Sequence, residues 1–167
     1  MTSTIVPNFV QSGDVTDDEI NVQFERARND INRISSFVNV TLTSAQLLAL
    51  NATPITVIPA PAAGMAIIPT SVELYKPAGT AYAGIATNED LALKYTNGSG
   101  TQCYSAMETT GFLDQSTAQL RSTRNLLTDF APTPDAAIVV QMLNGEITTG
   151  NTTLSLRINY KTIPATF

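Results

Sequence analysis

Short segments in which apolar and polar residues alternate follow one another along the C-terminal two thirds of the chain, and glycine, proline or asparagine separates them. The segment 152–163 shows this most clearly, because apolar residues such as Leu156 alternate there with polar ones such as Arg157. A period of two is typical of a strand with one buried face. Several such strands separated by turn residues predict an all-β fold. We therefore expect a mainly β domain, a β-sandwich or jelly roll, over residues 41–167.

Two local motifs place further elements in this domain. A strand at 91–95 is followed by an Asn-Gly turn, which predicts a hairpin whose second strand lies at 102–108. Thr43 or Ser44 begins a short helix, and Gln46 stands where the glutamine of a capping box would bond back to Thr43.

Residues 16–40 carry a helical pattern instead, and its last residues also fit a short strand at 38–42. Thr16 and Glu19 match a capping box, which predicts that a helix begins there. The apolar residues that follow are spaced by 4, 3, 4, 3 and 4 positions, and they are Ile20, Phe24, Ala27, Ile31, Ile34 and Val38. This spacing forms the apolar seam of a coiled coil, and isoleucine at both kinds of seam position favours three or more helices. The seam either packs on its own domain or joins copies of the chain into an oligomer, a homotrimer in the simplest case.

Residues 1–15 are predicted to form an extended N-terminal arm. Apolar side chains at Ile5, Val6 and Phe9 would be exposed if the arm were free in solution. Because a terminal segment is often loose unless something holds it, the arm is expected either to pack on its own domain or to dock onto another chain.

Composition excludes several classes of function. The net charge is −5, which opposes sequence-independent binding to nucleic acid. The chain contains no histidine, the commonest general base and metal ligand. Its single cysteine, Cys103, has no cysteine or histidine to form a metal cluster with, and it is expected to be a small buried hydrophobe. We therefore predict no catalytic residues, no metal site and no cofactor, and the chain is not expected to be an enzyme.

The sequence shows neither a membrane-spanning segment nor a signal peptide. The apolar stretch 55–68 contains prolines and a glycine and is too short to cross a bilayer. The first residues lack the basic and then apolar regions of a signal peptide. We expect no membrane association, and either a reducing cytoplasm or a particle assembled there.

Two segments resemble structural proteins of tailed-bacteriophage virions. The first is LTSAQLLALNATPITVIPAPAAGMAIIPTSVELY (42–75), and the second is AAIVVQMLNGEITTGNTTLSLRINYKTIP (136–164), with GFLD (111–114) between them. The turn at 150–152 reads Gly-Asn-Thr, where a Gly-Asp-Gly-like turn is usual in that group. The resemblance implies a trimeric β-sandwich or jelly roll that either decorates the capsid as a cement protein or belongs to a tail fibre.

Three hypotheses follow from this reading. The first is a decoration protein that binds the major capsid protein on the assembled head, with the seam residues joining copies and the arm contacting the capsid. The second is a tail-fibre or receptor-binding module, whose loops 76–88 and 109–134 would face the host cell. The third, an enzyme such as a polysaccharide depolymerase, is disfavoured because no paired carboxylates stand out beyond those of the helix cap.

Overall fold

The structure is a computed structural model, and it describes residues 20–24, 36–85, 89–127 and 129–166. The chain divides into two compact units, Met1–Ile34 and Ser35–Phe167. Within the first unit, residues 20–24 are helical, and the side chains of Ile20 and Phe24 are exposed. Several predicted arm and seam positions lie outside the described residues, namely Ile5, Val6, Phe9, Ala27, Ile31 and Ile34.

The described part of the second unit contains seven strands and one short helix. In chain order they are β1 (Ser36–Leu42), α1 (Ser44–Leu48), β2 (Ile55–Ile58), β3 (Met65–Lys76), β4 (Leu91–Tyr95), β5 (Gln119–Arg124), β6 (Ile138–Met142) and β7 (Leu154–Pro164).

The strands form two antiparallel sheets. Their pairing is nested, which means that the first strand pairs with the last, the second with the last but one, and so on inward. The four-stranded sheet has the order β1-β7-β3-β5, and the three-stranded sheet has the order β2-β6-β4. Thus β1 pairs with β7, β2 with β6, and β3 with β5. At the centre of this nest, residues 102–107 return along β4 through two isolated bridges, Lys94 to Gln102 and Leu91 to Met107. The pairs β3–β7 and β4–β6 then join neighbouring hairpins into the two sheets.

Both sheets contribute to a single hydrophobic core. Leu74 and Leu156 of the four-stranded sheet belong to the same buried cluster as Leu93 and Val140 of the three-stranded sheet. Burial of apolar surface on this scale is the main stabilising term of a fold of this kind. The prediction of a mainly β domain with two packed sheets is confirmed.

Strand β1 corrects the predicted extent of the N-terminal helix. The helix was expected to include residues 16–40, but the chain is a strand from Ser36 onward. Val38 lies directly opposite Ile158 of β7, so it does not continue a helical seam. The physical reason is that Val38 also belongs to an alternating pattern with Val40 and Leu42, and pairing with β7 satisfies the backbone groups of this segment.

The capping box at the start of α1 is present. Thr43 is the N-cap residue: its hydroxyl accepts a hydrogen bond from the backbone N–H of Gln46, and the Gln46 side chain accepts one from the N–H of Thr43 at 2.8 Å. These two bonds satisfy N–H groups that a helix N-terminus leaves without partners. Of the two caps that the sequence allowed, the structure uses Thr43.

A bulge interrupts β3 where the sequence contains proline. The register with β7 shifts between Pro69 and Ser71. Proline has no N–H to donate to a ladder, so it is tolerated at a bulge. Asn125, just after β5, closes the gap: its backbone N–H donates to the carbonyl of Thr70, and its side-chain amide donates to that of Pro69. From the sequence alone, Pro69 predicts either an edge strand or a bulge, and the structure has the bulge within a strand that pairs on both sides.

Candidate association surface

One side of the four-stranded sheet faces away from the core, and we call it the outer face. The strand registers arrange its side chains in three rows across β1, β7, β3 and β5. The upper row is Phe37, Asn159, Ser71 and Arg124; the middle row is Asn39, Arg157, Glu73 and Ser122; the lower row is Thr41, Ser155, Tyr75 and Leu120. The alternate residues of the same strands point into the core, as the period of two requires.

The outer face carries large apolar side chains that are exposed. The exposed fractions are 54% for Phe37, 46% for Tyr75 and 77% for Leu120. Tyr75 and Leu120 are cross-strand neighbours in the lower row, and Phe37 lies at the opposite corner of the face, with polar side chains between them. Exposed apolar groups rimmed by polar ones mark sites of interaction with other molecules.

A charged pair lies at the centre of the middle row. Glu73 on β3 is directly opposite Arg157 on β7. The Arg157 guanidinium lies over the ring of Phe37, 4.5 Å from the ring centroid, a cation–π contact. The Glu73 carboxylate forms no hydrogen bond or ion pair with any residue in the ranges that the structure describes. The face thus presents a carboxylate and an aromatic-stacked guanidinium side by side.

Polar contacts hold the remaining strands of the face in register. The hydroxyls of Thr41 and Ser155 are 3.3 Å apart, and the Asn159 amide donates a 3.0 Å hydrogen bond to the Ser71 hydroxyl. Cross-strand contacts of this type stabilise neighbouring strands. A shallow depression of about 250 Å³ lies between the middle and lower rows, bordered by Glu73 among other residues.

Buried charged and nucleophilic groups of the domain have structural partners. One Glu89 carboxylate oxygen accepts hydrogen bonds from the backbone N–H groups of Asn144 and Gly145, which fixes the turn after β6. The Lys76 ammonium donates to the carbonyl of Gln115 at 2.6 Å, and burial lowers its pKa. Burial raises the pKa of the Cys103 thiol to about 12, so this fully buried cysteine is not a reactive nucleophile. This agrees with the interpretation of Cys103 as a buried hydrophobe.

No group of three or more metal-binding side chains occurs among the described residues. Within those same ranges, no helix has the length and apolar character needed to cross a membrane.

The structure describes three of the predicted association residues, Ile20, Phe24 and Val38. Val38 is half-buried on the inner side of β1, and Ile20 and Phe24 are exposed within the N-terminal unit. Sequence reasoning recognised the polar side of β7 at Ser155 and Arg157 but assigned it no function. The signal it missed was that Phe37 and Tyr75 fall on the same side as these polar residues once the strands are paired.

No model of a protein family and no curated protein matches this chain. Among solved structures, a chain of the Cyanophage Pam1 capsid asymmetric unit is similar over 75% of this chain and 81% of that chain. The two share 17% sequence identity, and their TM-score is 0.41. A likeness of this size carries no inference about fold or function.

Proposed function

We propose that this chain is a non-enzymatic structural protein of a tailed-phage virion, a decoration protein that binds the assembled head and stabilises it as an oligomer, in the simplest case a homotrimer. The observation that carries the proposal is the outer face, where Phe37, Tyr75 and Leu120 are exposed beside a central charged pair. Aromatic residues and arginine are enriched in protein interfaces. The two sequence segments that resemble phage virion proteins supply the class of partner.

The strand order supports a jelly roll as the architecture. The chain runs outward through β1, β2, β3 and β4 and returns through residues 102–107, β5, β6 and β7. Each returning segment pairs with the outgoing segment at the same level of the nest. A long hairpin folded into two sheets in this way is what a jelly roll would give, with the returning partner of β4 reduced to two bridges. Viral capsid and lectin domains share this architecture, so the fold does not distinguish between these functions and the distinction depends on the residues of the surface.

Stabilisation of the head would follow from mass action. A protein that binds the assembled shell but not its free subunits favours the assembled state by about 2.7 kcal/mol per site when its free concentration is one hundred times the dissociation constant. The proposed partner is the major capsid protein, and the proposed contact is the N-terminal arm with Ile5, Val6 and Phe9. The protein would be located on the capsid surface after assembly in the host cytoplasm.

One observation favours a second candidate, a tail-fibre or receptor-binding module. The depression on the outer face is bordered by Tyr75, Glu73 and Asn39. An aromatic ring next to a carboxylate and an amide is a combination that can bind a sugar by stacking and hydrogen bonding.

The first experiment is to measure the number of copies of this chain in purified virions relative to the major capsid protein. A ratio near one, or a simple fraction of it, is expected for a protein that decorates the whole shell. A few copies per particle would place the chain in the tail and favour the second candidate. Absence from virions would overturn both.

A second experiment tests the contact with the shell. Heads that lack the chain are mixed with the purified protein, and the temperature at which they release DNA is measured. We expect the unaltered chain to raise this temperature and the variant Ile5→Ser/Phe9→Ser to lose the effect. The matched control is Asn8→Ser, a polar replacement within the same arm, which should behave like the unaltered chain.

A further inference from the structure

The charges and rings of the outer face are complementary to the same face on a second copy of the chain. In the aligned class of face-to-face packing, two sheets keep their strands within about 30° of each other. A two-fold axis between them is then either parallel or perpendicular to the strands. The two arrangements place different side chains opposite each other. An axis parallel to the strands reverses the strand order β1-β7-β3-β5 of the partner and keeps each row opposite the same row, whereas a perpendicular axis keeps the strand order and reverses the order of the rows.

With the axis parallel to the strands, unlike groups meet. Strand β7 then lies over the partner's β3, and β1 lies over the partner's β5, with each row facing the same row. Arg157 therefore faces the partner's Glu73, and the symmetry repeats this contact. In the upper row, Phe37 faces the partner's Arg124, which can extend the cation–π stacking that Phe37 already has with Arg157.

With the axis perpendicular to the strands, like groups meet. Each strand then lies over its own counterpart, and the middle row faces itself, so Glu73 faces the partner's Glu73 and Arg157 faces the partner's Arg157. Juxtaposition of like charges in an interface costs several kcal/mol. The arrangement of charges thus selects one orientation and opposes the other.

We propose that the outer face is a two-fold interface with a second copy of this chain, with the axis parallel to the strands and two reciprocal contacts between Glu73 and Arg157. This goes beyond the proposed function, in which the N-terminal seam joins the copies and the arm contacts the shell, because it gives the outer face a separate two-fold contact between copies. In a two-fold interface the same patch of both subunits must complement itself, and the middle row meets that requirement.

The area of the outer face can be compared with that of known interfaces. Four strands about 4.8 Å apart, the longest with 12 and 11 residues, give an area of about 500 Å² per copy. The total of about 1,000 Å² is near the lower limit for a specific interface. An interface of this size is compatible with a reversible contact, and its dissociation constant is measured over a range of concentrations.

Charge reversal gives the first test, with the full chain and its mass measured by analytical ultracentrifugation. Glu73→Arg alone and Arg157→Glu alone each place like charges across the interface, and we expect each to raise the dissociation constant by about tenfold or more. At concentrations near the dissociation constant of the unaltered chain, their average masses should fall clearly below that of the unaltered chain and towards half the mass of the saturated assembly, whether or not the N-terminal segment forms a further oligomer. The matched control is Asp129→Arg, which makes the same charge change at an exposed position outside the three rows and should keep the mass of the unaltered chain.

Mixing the two charge variants separates an effect on association from an effect on folding. Within each variant, positions 73 and 157 on neighbouring strands carry like charges before and after mixing, so mixing cannot restore the fold of either variant. Across the interface, however, the arginines of one copy face the glutamates of the other. The mixture should therefore recover the mass of the unaltered chain. A mixture that stays at the mass of the single variants would contradict the interface, and so would an unaltered chain with the mass of Glu73→Arg at every concentration.

Cross-linking determines the orientation. Asn39 on β1 and Ser122 on β5 lie in the middle row at opposite edges of the sheet, and the proposed axis places Asn39 over the partner's Ser122. A short bismaleimide should link Asn39→Cys to Ser122→Cys when the two variants are mixed, and it should link neither variant to itself. Cys103 is fully buried and does not compete. Self-linking of the single variants would overturn the proposed orientation, and a monomeric outer face that binds a glycan instead would overturn the interface.

Discussion

The hydroxyl of Tyr95 on β4 donates a 2.5 Å hydrogen bond to the backbone carbonyl of Ile67 on β3. Tyr95 belongs to the three-stranded sheet and Ile67 to the four-stranded sheet, so this bond joins the two layers through the core. Both residues are almost completely buried. A bond of this kind specifies how the sheets align, because water cannot replace either partner.

Replacement of this tyrosine should therefore be costly. Tyr95→Phe keeps the ring but leaves the Ile67 carbonyl without its hydroxyl partner, and we expect a loss of about 1–3 kcal/mol in the free energy of unfolding. Denaturation in urea measures it. Tyr75→Phe is the matched control, since the Tyr75 side chain is exposed, and its effect should be within about 0.5 kcal/mol. Equal losses for both variants would contradict the role assigned to this bond.

Alkaline pH should destabilise the domain. Burial raises the pKa of Tyr82, Tyr95 and Tyr104 above the ordinary value near 10 and that of Cys103 above 9. The folded state therefore keeps protons that the unfolded state loses, so the stability from these groups is complete below about pH 9 and decreases as the pH rises further. Lys76 acts in the opposite direction, because burial lowers its pKa, but it is a single group.

The measurement is the free energy of unfolding between pH 7 and pH 11. We expect a decline that begins near pH 9 and a shallower decline in Tyr95→Phe, which has one fewer group to ionise. A stability that is constant up to pH 11 would show that these hydroxyls do not need to stay protonated in the folded state.

Two glycines with positive φ should respond differently to alanine. At Gly150 (φ +92°) an added Cβ would lie 2.3 Å from the ring of Tyr82, whereas at Gly64 (φ +75°) it would meet no atom within 4 Å. Gly64→Ala therefore costs only backbone strain, about 1 kcal/mol. Gly150→Ala must also displace a buried ring, and its cost should reach about 2–4 kcal/mol. Thermal unfolding of both variants distinguishes the two effects, and similar melting temperatures would argue against the packing at Gly150.

The predicted N-terminal seam can be tested independently of the outer face. Ile31→Asp/Ile34→Asp places two charges in the seam, where a coiled coil would bury them, and should reduce the native mass of the full chain. Asn32→Asp adds a charge outside the seam and should leave the mass unchanged. A double variant with unaltered mass would exclude the coiled coil and leave packing of the seam on its own chain.

Strand β5 shows why part of the fold could not be predicted from the sequence. Its inward positions are Gln119, Arg121 and Thr123, so it has no apolar alternation. Arg121 lies over the ring of Phe112, and the hydroxyl of Thr123 is 2.9 Å from that of Tyr104. Both partners lie outside the strand itself, and their contacts make a polar segment into an edge strand that pairs with β3.

The sequence by itself determined the elements whose signals are local. The alternation in β7, the capping box of α1 and the proline bulge in β3 depend on neighbouring residues, and all three are present. Only the tertiary structure decided that β1 begins as early as Ser36 and that Glu73 lies beside Arg157 on an exposed face. The physical reason is that both depend on strand register, which is determined by pairing between segments more than eighty residues apart.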